Sequence, residues 1–415
     1  MSALPRSPTP SGPLAASAFS TRGTRAEIAV DALLHNLDVV RVRAPDCEVC
    51  AIVKANGYGL GGELVAGALA GGGVERFGVA TVEEGMALRA GGVRGTILVL
   101  GGAAWARAPS LLVGAGLTPV VSSVEELALL EAHLAGVGHE GTYPVHLAVD
   151  TGMGREGFVA FDATGVTAIV EGLAAAPHLD PQGAMTHFAN ADLADTAFTE
   201  QQVARFAVAL RALLDAGLPL RFAHIANSAA ILSIGGRPGP LQDEAFDGLS
   251  WWVRPGLALT GTTPFEDGRA QDILAPVVEW KATVVIKKDV PAGMPISYGS
   301  TFVTERPSTI AVLGIGYADG LHRHISGQGA EVLIDGGRVP LLGRVCMDLC
   351  VVDLTDLPAD VRDHIGPGSD VTVLGGEGEA RLDAWAVAEQ AGTIAYEVLT
   401  SIAARVPRVA VRRGR

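Results

Sequence analysis

Of the 31 basic side chains in this 415-residue sequence, only four are lysines: Lys54, Lys281, Lys287 and Lys288. Nearly every positive charge is written as arginine, yet one lysine stands within the first 280 residues. Arginine can replace lysine as a surface charge, but only the lysine amine is a usable nucleophile. Lys54 is the leading candidate for amine chemistry. Other polar residues recur where apolar runs end. They are Arg155 in Asp150-Thr-Gly-Met-Gly-Arg155, His187 in Met185-Thr-His-Phe188, Asn227 and Ser228 in His224-Ile-Ala-Asn-Ser228, and Arg254. Each alone reads as a solvated strand-end charge or a hydrogen-bonded core residue. Six polar groups at successive run ends point to one site.

The elements that must position them alternate regularly. After a strand at 26–31 and a helix at 33–42, β-like runs fall at 51–54, 77–81, 96–100, 118–121, 145–150, 183–187, 222–225 and 253–259. Helical patterns lie between them at 82–90, 124–134, 162–175, 199–216 and 228–232. Eight βα units over about 225 residues predict a (β/α)8 TIM barrel, within a domain spanning 25–272. A doubly wound sheet is the weaker reading, because no GxGxxG follows the first strand. Barrel active sites sit at the C-terminal strand ends, where these polar residues fall.

From 277 onward β runs (277–286, 309–315, 330–334, 371–374) are punctuated by Pro291-Ala-Gly293 and Gly366-Pro-Gly368. That pattern predicts a mainly β C-terminal domain at 273–408, with a final helix at 382–399. Residues 1–24, rich in Ser, Pro and Ala, read as a disordered tail, and 409–415 as a frayed basic tail.

Composition narrows the function. The chain is 48% hydrophobic and 18% charged, which excludes disorder for most of its length. A net charge of −14 argues against nucleic acid and anionic membranes as partners. No apolar run reaches the roughly 18 residues of a membrane span, and the N-terminus lacks a signal-peptide pattern. A cytoplasmic protein is expected. Cys47-Glu-Val-Cys50 has redox or zinc spacing, and Cys346 and Cys350 could complete four ligands. Buried thiols are the better reading, with no metal.

Val53-Lys-Ala-Asn-Gly-Tyr-Gly59 resembles the pyridoxal phosphate attachment motif of the alanine racemases, the fold-type III group. The likeness runs from about residue 25 to 405. It continues through Asp150-Thr-Gly-Met-Gly-Arg155, Thr186-His-Phe188, Ala226-Asn-Ser228, Val253-Arg-Pro-Gly256, Ser297-Tyr-Gly299, Gly314-Ile-Gly-Tyr-Ala-Asp-Gly320, Cys346-Met-Asp348 and Ala395-Tyr-Glu397. One such motif is weak; nine in order are specific.

The resemblance implies a racemase interconverting L- and D-alanine with pyridoxal 5'-phosphate as cofactor. Lys54 would hold the cofactor covalently and then act as one acid/base. Tyr58, Ser228, Tyr396 and the backbone at Gly256 and Leu257 would bind its phosphate, with Asn227 beside them and a helix dipole helping. His187 would pack near the ring. Arg254 would face the ring nitrogen, where a permanent charge discourages ring protonation and favours return of the α-proton to the same carbon. Tyr298 would be the base on the opposite face. Tyrosine has an ordinary pKa near ~10, so this role asks for a nearby cation such as Arg155. Arg155 and the Met347 amide would meet the substrate carboxylate. In the family the tyrosine and this amide come from the partner subunit, which implies a head-to-tail homodimer with shared sites.

Departures from the family pattern bear on substrate. The attachment motif reads Tyr58-Gly-Leu60-Gly61 where the family usually has histidine. A frequently carbamylated lysine that orients the arginine is replaced by Ala148 in His146-Leu-Ala-Val-Asp150, and a usual tyrosine by Thr260. The entrance segment reads Asp319-Gly-Leu-His-Arg323. Racemisation of serine, lysine or another amino acid is the alternative within the scaffold. Another activity on the same cofactor, such as an aldolase or decarboxylase, and a non-catalytic cofactor-binding protein lie further away.

Overall fold

The computed structural model describes residues 22–160, 163–376 and 378–414. They form two compact units. One holds Ala29–Val277 with 412–414, and the other holds 22–28 with Val278–Val411.

The first strand, β1 (Arg25–Ala29), leads into a helix, Val30–Arg43. Eight parallel strands follow: β2 (Glu48–Ile52), β3 (Arg76–Val79), β4 (Thr96–Val99), β5 (Thr118–Val121), β6 (Tyr143–Ala148), β7 (Leu179–Met185), β8 (Phe222–Asn227) and β9 (Ser250–Arg254). Each pairs with the next and β9 closes on β2, giving the expected barrel. Cys50, Ile52, Leu98, Val120, Ala148, Met185 and Trp252 pack together as a core cluster drawn from six of its strands. Gly183 is required by that packing, because a Cβ there would lie 2.3 Å from His146 Nδ1.

Some helices start where short polar side chains cap them. Thr81 and Glu84 form a reciprocal capping box before Val82–Ala90, and Ser123 caps Val124–Gly136. In the barrel unit three described helices escaped the periodicity, Gly62–Gly71, Gly102–Ala106 and Pro109–Gly114, as did Ala359–His364 further along the chain. The last three are too short for a periodic signal, and glycine and alanine dilute it in the first.

The second unit is built on β10 (Val278–Val290), β11 (Pro295–Ile296), β12 (Phe302–Val303), β13 (Ser308–Leu313), β14 (Glu331–Ile334), β15 (Gly337–Leu342), β16 (Cys350–Asp353), β17 (Asp370–Leu374) and β18 (Arg408–Val411). Its main sheet runs β13-β16-β15-β14-β17-β10-β1-β18, with β13 also pairing β10 across a register shift near Val284.

Three expectations change here. Arg25–Ala29, read as part of the barrel domain, pairs antiparallel with β10 instead. Charge complementarity supports the pairing, since Arg25 bonds Asp370 at 2.8 Å and Lys281 bridges Glu27 and Glu279. Of the expected tails, residues 1–21 and 415 lie outside the described residues. Thr24 is buried and donates to the Gly314 carbonyl at 2.6 Å, and Arg408–Val411 is a strand at the sheet edge. The predicted helix at 382–399 is two helices, Ala384–Ala391 and Ala395–Ser401, because Gly392 turns left-handed at φ 63°.

The four cysteines are free thiols. Burial pushes Cys50 and Cys350 up to about 12 and Cys47 up to about 11, so they stay protonated and unreactive at neutral pH. Among the described residues no helix is long and apolar enough to cross a membrane.

Asp319 anchors the Gly314–Gly320 segment. Its carboxylate accepts from Arg22 at 2.7 Å, Arg405 Nε at 2.7 Å and the Gly316 amide at 3.0 Å, and it is fully buried. Burial alone would raise its pKa, but the bonds from Arg22 and Arg405 outweigh that and hold it below the ordinary carboxylate range. A depressed folded pKa stabilises above the unfolded value, near ~3.9, and that stabilisation is lost as pH falls through the folded value. Asp319→Asn is expected to cost about 2–4 kcal/mol, less than a wholly buried pair because both arginines are partly exposed. Denaturant unfolding at neutral pH checks this, and an unchanged midpoint would refute the anchoring role.

Candidate active site

Lys54 follows β2 by two residues and heads a rare backbone feature. Ala55, Asn56, Gly57 and Tyr58 have φ of 51°, 55°, 66° and 55°, a full turn of left-handed helix. Asn and Gly tolerate this region, whereas a left-handed turn costs other L-residues roughly 1–2 kcal/mol each. The turn is closed by Gly57 N to Val53 O and Gly59 N to Ala55 O, both 2.8 Å, and Asn56 Oδ1 accepts from Gly62 N at 2.7 Å. Glycine suits position 57, where a Cβ would lie a tight 3.2 Å from Gly62 Cα. Burial pushes the Lys54 amine below its ordinary range, with Arg155 adding to the push. A depressed amine at a barrel rim is a nucleophile and base in waiting.

Arg254 ends β9 and is buried. Its guanidinium donates to Thr186 O at 2.7 Å, Ile225 O at 3.3 Å, His187 Nδ1 at 3.2 Å and His224 Nδ1 at 3.2 Å. Donation into Nδ1 of His224 leaves the proton on Nε2, which then donates to His146 Nδ1 at 2.8 Å. All three imidazoles are neutral. Burial pushes His146 and His187 down to about 3, and His224 falls well below its ordinary value. Arg254 is pushed down to about 10 by burial and so stays charged at neutral pH. No carboxylate pairs with it among the described residues. A buried cation held only by neutral acceptors suits an electron-rich ligand atom such as a ring nitrogen.

A donor-rich cup lies on the same rim. Ser228 Oγ accepts from Gly256 N at 3.0 Å and Ala258 N at 3.2 Å. A Cβ on Gly256 would lie 2.2 Å from Tyr58 Oη, so glycine admits the hydroxyl against the backbone there. The Tyr58 hydroxyl, the Ser228 hydroxyl and the Leu257 amide are donors of the kind a phosphate dianion takes, while the Gly256 amide is already given to Ser228 Oγ. Asn227 has a structural part on this rim. Its Oδ1 caps the helix Ser228–Ser233 on Ala230 N at 3.0 Å.

Arg155 sits in the loop after β6. Asp150 shapes that loop by accepting from Gly152 N at 2.9 Å and Gly154 N at 3.0 Å. Gln202 ties it down through Thr151 Oγ1 and the His187 carbonyl. The Arg155 side chain itself is 55% exposed, with Glu156 3.9 Å away. Ala148 is buried in the barrel core cluster and offers no group to orient it.

Tyr298, Met347 and Tyr396 belong to the β-rich unit. Tyr298 is 69% exposed on a strained turn between β11 and β12, with Ser297 at φ 62° and Ser300 at φ 48°. Ser297 Oγ anchors the turn by donating to the Arg344 carbonyl at 2.5 Å. Met347 is 53% exposed, and its carbonyl accepts from Ala318 N at 3.0 Å. That approach requires Gly316, whose Cβ would lie 2.4 Å from the Met347 backbone. Tyr396 lies in the first turn of Ala395–Ser401.

His146, His224 and Glu84 were not singled out from sequence. The two histidines carry a faint signal, polar residues inside apolar β runs. Glu84 carries only a capping pattern, Thr81-Val-Glu-Glu84.

Comparison with known proteins agrees with this geometry. The family model "Alanine racemase, N-terminal domain" matches residues 28–264, and "Alanine racemase, C-terminal domain" matches 277–410. The alanine racemase of Carboxydothermus hydrogenoformans is 37% identical over 387 residues, covering 93% of this chain and 99% of its own. That of Halothermothrix orenii is 39% identical over 392 residues, covering 94% and 97%. The crystal structure of the Bacillus anthracis alanine racemase with bound L-Ala-P superposes with a TM-score of 0.83 at 33% identity, covering 96% and 97%. With both domain models matched along the chain and relatives of this identity over nearly its whole length, the protein belongs to the alanine racemase family.

Proposed function

We propose that this chain is a pyridoxal-phosphate-dependent isomerase that interconverts L- and D-alanine, with Lys54 and Tyr298 as its two acid/bases. The observation that carries this reading is Lys54 itself, a half-buried, depressed amine on the same rim as the buried Arg254 cation and the Ser228–Gly256 cup. When bound, the cofactor supplies an electron sink that acidifies the α-carbon of the amino acid it carries. The protein does the rest. Lys54 holds the cofactor and moves a proton on one face, while Tyr298 does so on the other. Arg254 keeps its charge on the protein side, stabilised by the neutral chain through His224 to His146. His187 packs as an uncharged ring, and Arg155 with the Met347 amide receives the substrate carboxylate. Tyr58, Ser228, Leu257 and Tyr396 hold the phosphate, with the Gly256 amide orienting the Ser228 hydroxyl and Asn227 fixing the helix beside it.

A homodimer follows from the same reading, since Tyr298 and Met347 stand exposed with Tyr317 and Leu349 on the β-rich unit. Four free thiols suit the cytoplasm, where a supply of D-alanine is the metabolic outcome. The exposed Arg155, with no lysine at 148, also favours testing serine and lysine as substrates.

The test is incubation of the cofactor-loaded protein with L- and D-alanine separately in heavy water. Deuterium at the α-carbon with mixed chirality from both enantiomers is expected. No exchange from alanine, serine or lysine would overturn the racemase reading in favour of cofactor binding alone. The cup has its own check. Gly256→Ala must displace the Tyr58 hydroxyl, and overpacking of about 1–2 kcal/mol predicts roughly 5- to 30-fold weaker cofactor binding. Fluorescence titration with pyridoxal phosphate reads it, and an unchanged affinity would remove Tyr58 and Gly256 from the cup.

A further inference from the structure

We infer that Glu84 is a positioning residue for Lys54: its carboxylate ties the left-handed turn behind the lysine to the next βα unit of the barrel. This rests on the cofactor-holding role of Lys54 proposed above. Glu84 Oε1 accepts from the Ala55 amide at 2.7 Å, and Oε2 accepts from the Ala80 amide at 2.8 Å. The Ala55 amide opens the left-handed turn, one residue after Lys54 and three before Tyr58. A strained turn persists only where its surroundings over-determine it. One carboxylate thereby bridges the lysine's own barrel unit and the next.

The barrel contains its own control. Ser122-Ser-Val-Glu-Glu126 repeats the pattern Ala80-Thr-Val-Glu-Glu84 two βα units further round. Glu126 makes the matching bond with a single oxygen, Oε2 accepting from the Ser122 amide at 2.7 Å, while Ser123 Oγ accepts from Glu126 N at 3.3 Å; Glu84 Oε2 differs only in also accepting from the Thr81 amide at 3.4 Å. Capping therefore needs one carboxylate oxygen. The second oxygen of Glu84 does something that helix capping does not require. Charge adds to position here. Besides its burial, the Lys54 amine feels Arg155 and Arg254, which disfavour its proton, and Glu84 and Glu156, which favour it.

The test compares Glu84→Gln, Glu84→Asp and Glu126→Gln with the parent. One readout is the rate of pyridoxal phosphate release from the loaded protein. The other is acylation of Lys54 in the full chain freed of cofactor, measured at pH 7.5 against Lys281 by mass spectrometry. Glu84→Gln has one acceptor oxygen for the amides of Ala55, Ala80 and Thr81, and no charge. It is expected to release cofactor at least 10-fold faster and to acylate Lys54 3- to 10-fold faster. Glu84→Asp keeps the charge but lacks the reach, so release quickens while acylation stays within 2-fold of the parent. Glu126→Gln perturbs an equivalent cap and changes neither readout. If Glu84→Gln and Glu126→Gln behave alike in both, the positioning role is overturned. If Glu84→Gln does not fold, Glu84→Asp decides alone, and parental release from it overturns the proposal. A parent whose Lys54 is not protected from acylation by pyridoxal phosphate would instead sink the cofactor-holding reading, independently of Glu84.

Discussion

Lys54→Ala is expected to lose racemisation of both alanine enantiomers by about 10⁴-fold or more, together with the visible band of covalently held pyridoxal phosphate. The size follows from two functions lost at once. A positioned acid/base contributes about 10²–10⁴ on its own, and removal of the covalent tether adds to that. No other lysine can substitute. Lys281 is bound to Glu27 and Glu279, Lys287 donates to the Arg362 and Ile365 carbonyls, and Lys288 lies with them on β10. The fold should survive, because the turn is closed by backbone bonds and by Asn56 and Glu84 rather than by the Lys54 amine. Absorption spectra of the loaded protein, with chirality assays, check the result. A variant with the parental visible band would show that the cofactor is attached elsewhere.

Tyr298→Phe is expected to separate the two faces of the α-carbon. Cofactor binding and the visible band should match the parent, while α-proton exchange from L-alanine falls by about 10²–10⁴. Exchange from D-alanine, on the Lys54 face, should persist. The substitution removes one oxygen from a side chain that is 69% exposed, so its effect on stability should stay within about 0.5 kcal/mol. Loss of exchange would then report chemistry and not unfolding. Parental exchange from L-alanine would take Tyr298 out of the mechanism.

Much of this molecule could be read before any coordinates. The lone early lysine marks amine chemistry because arginine cannot do it, and eight alternating βα units leave a closed parallel barrel as the economical architecture. Strand-end positions for Arg155, His187, Ser228 and Arg254 follow from the same alternation. These features are local: residue type, period and order along the chain carry them.

The left-handed turn after Lys54 was not legible, because Ala55 and Tyr58 have no intrinsic preference for it. It exists through bonds to Asn56 and to Glu84, which is 29 residues away from Ala55. The neutral chain from Arg254 through His224 to His146 joins strands separated by 30 and 78 residues. β1 crossed into the β-rich sheet because its charges match β10 and Asp370, partners far along the chain. The linear order of residues thus names the reacting groups and the scaffold. Their tautomers, charge states and backbone strain arise only when distant segments meet, since burial and hydrogen-bond partners set them.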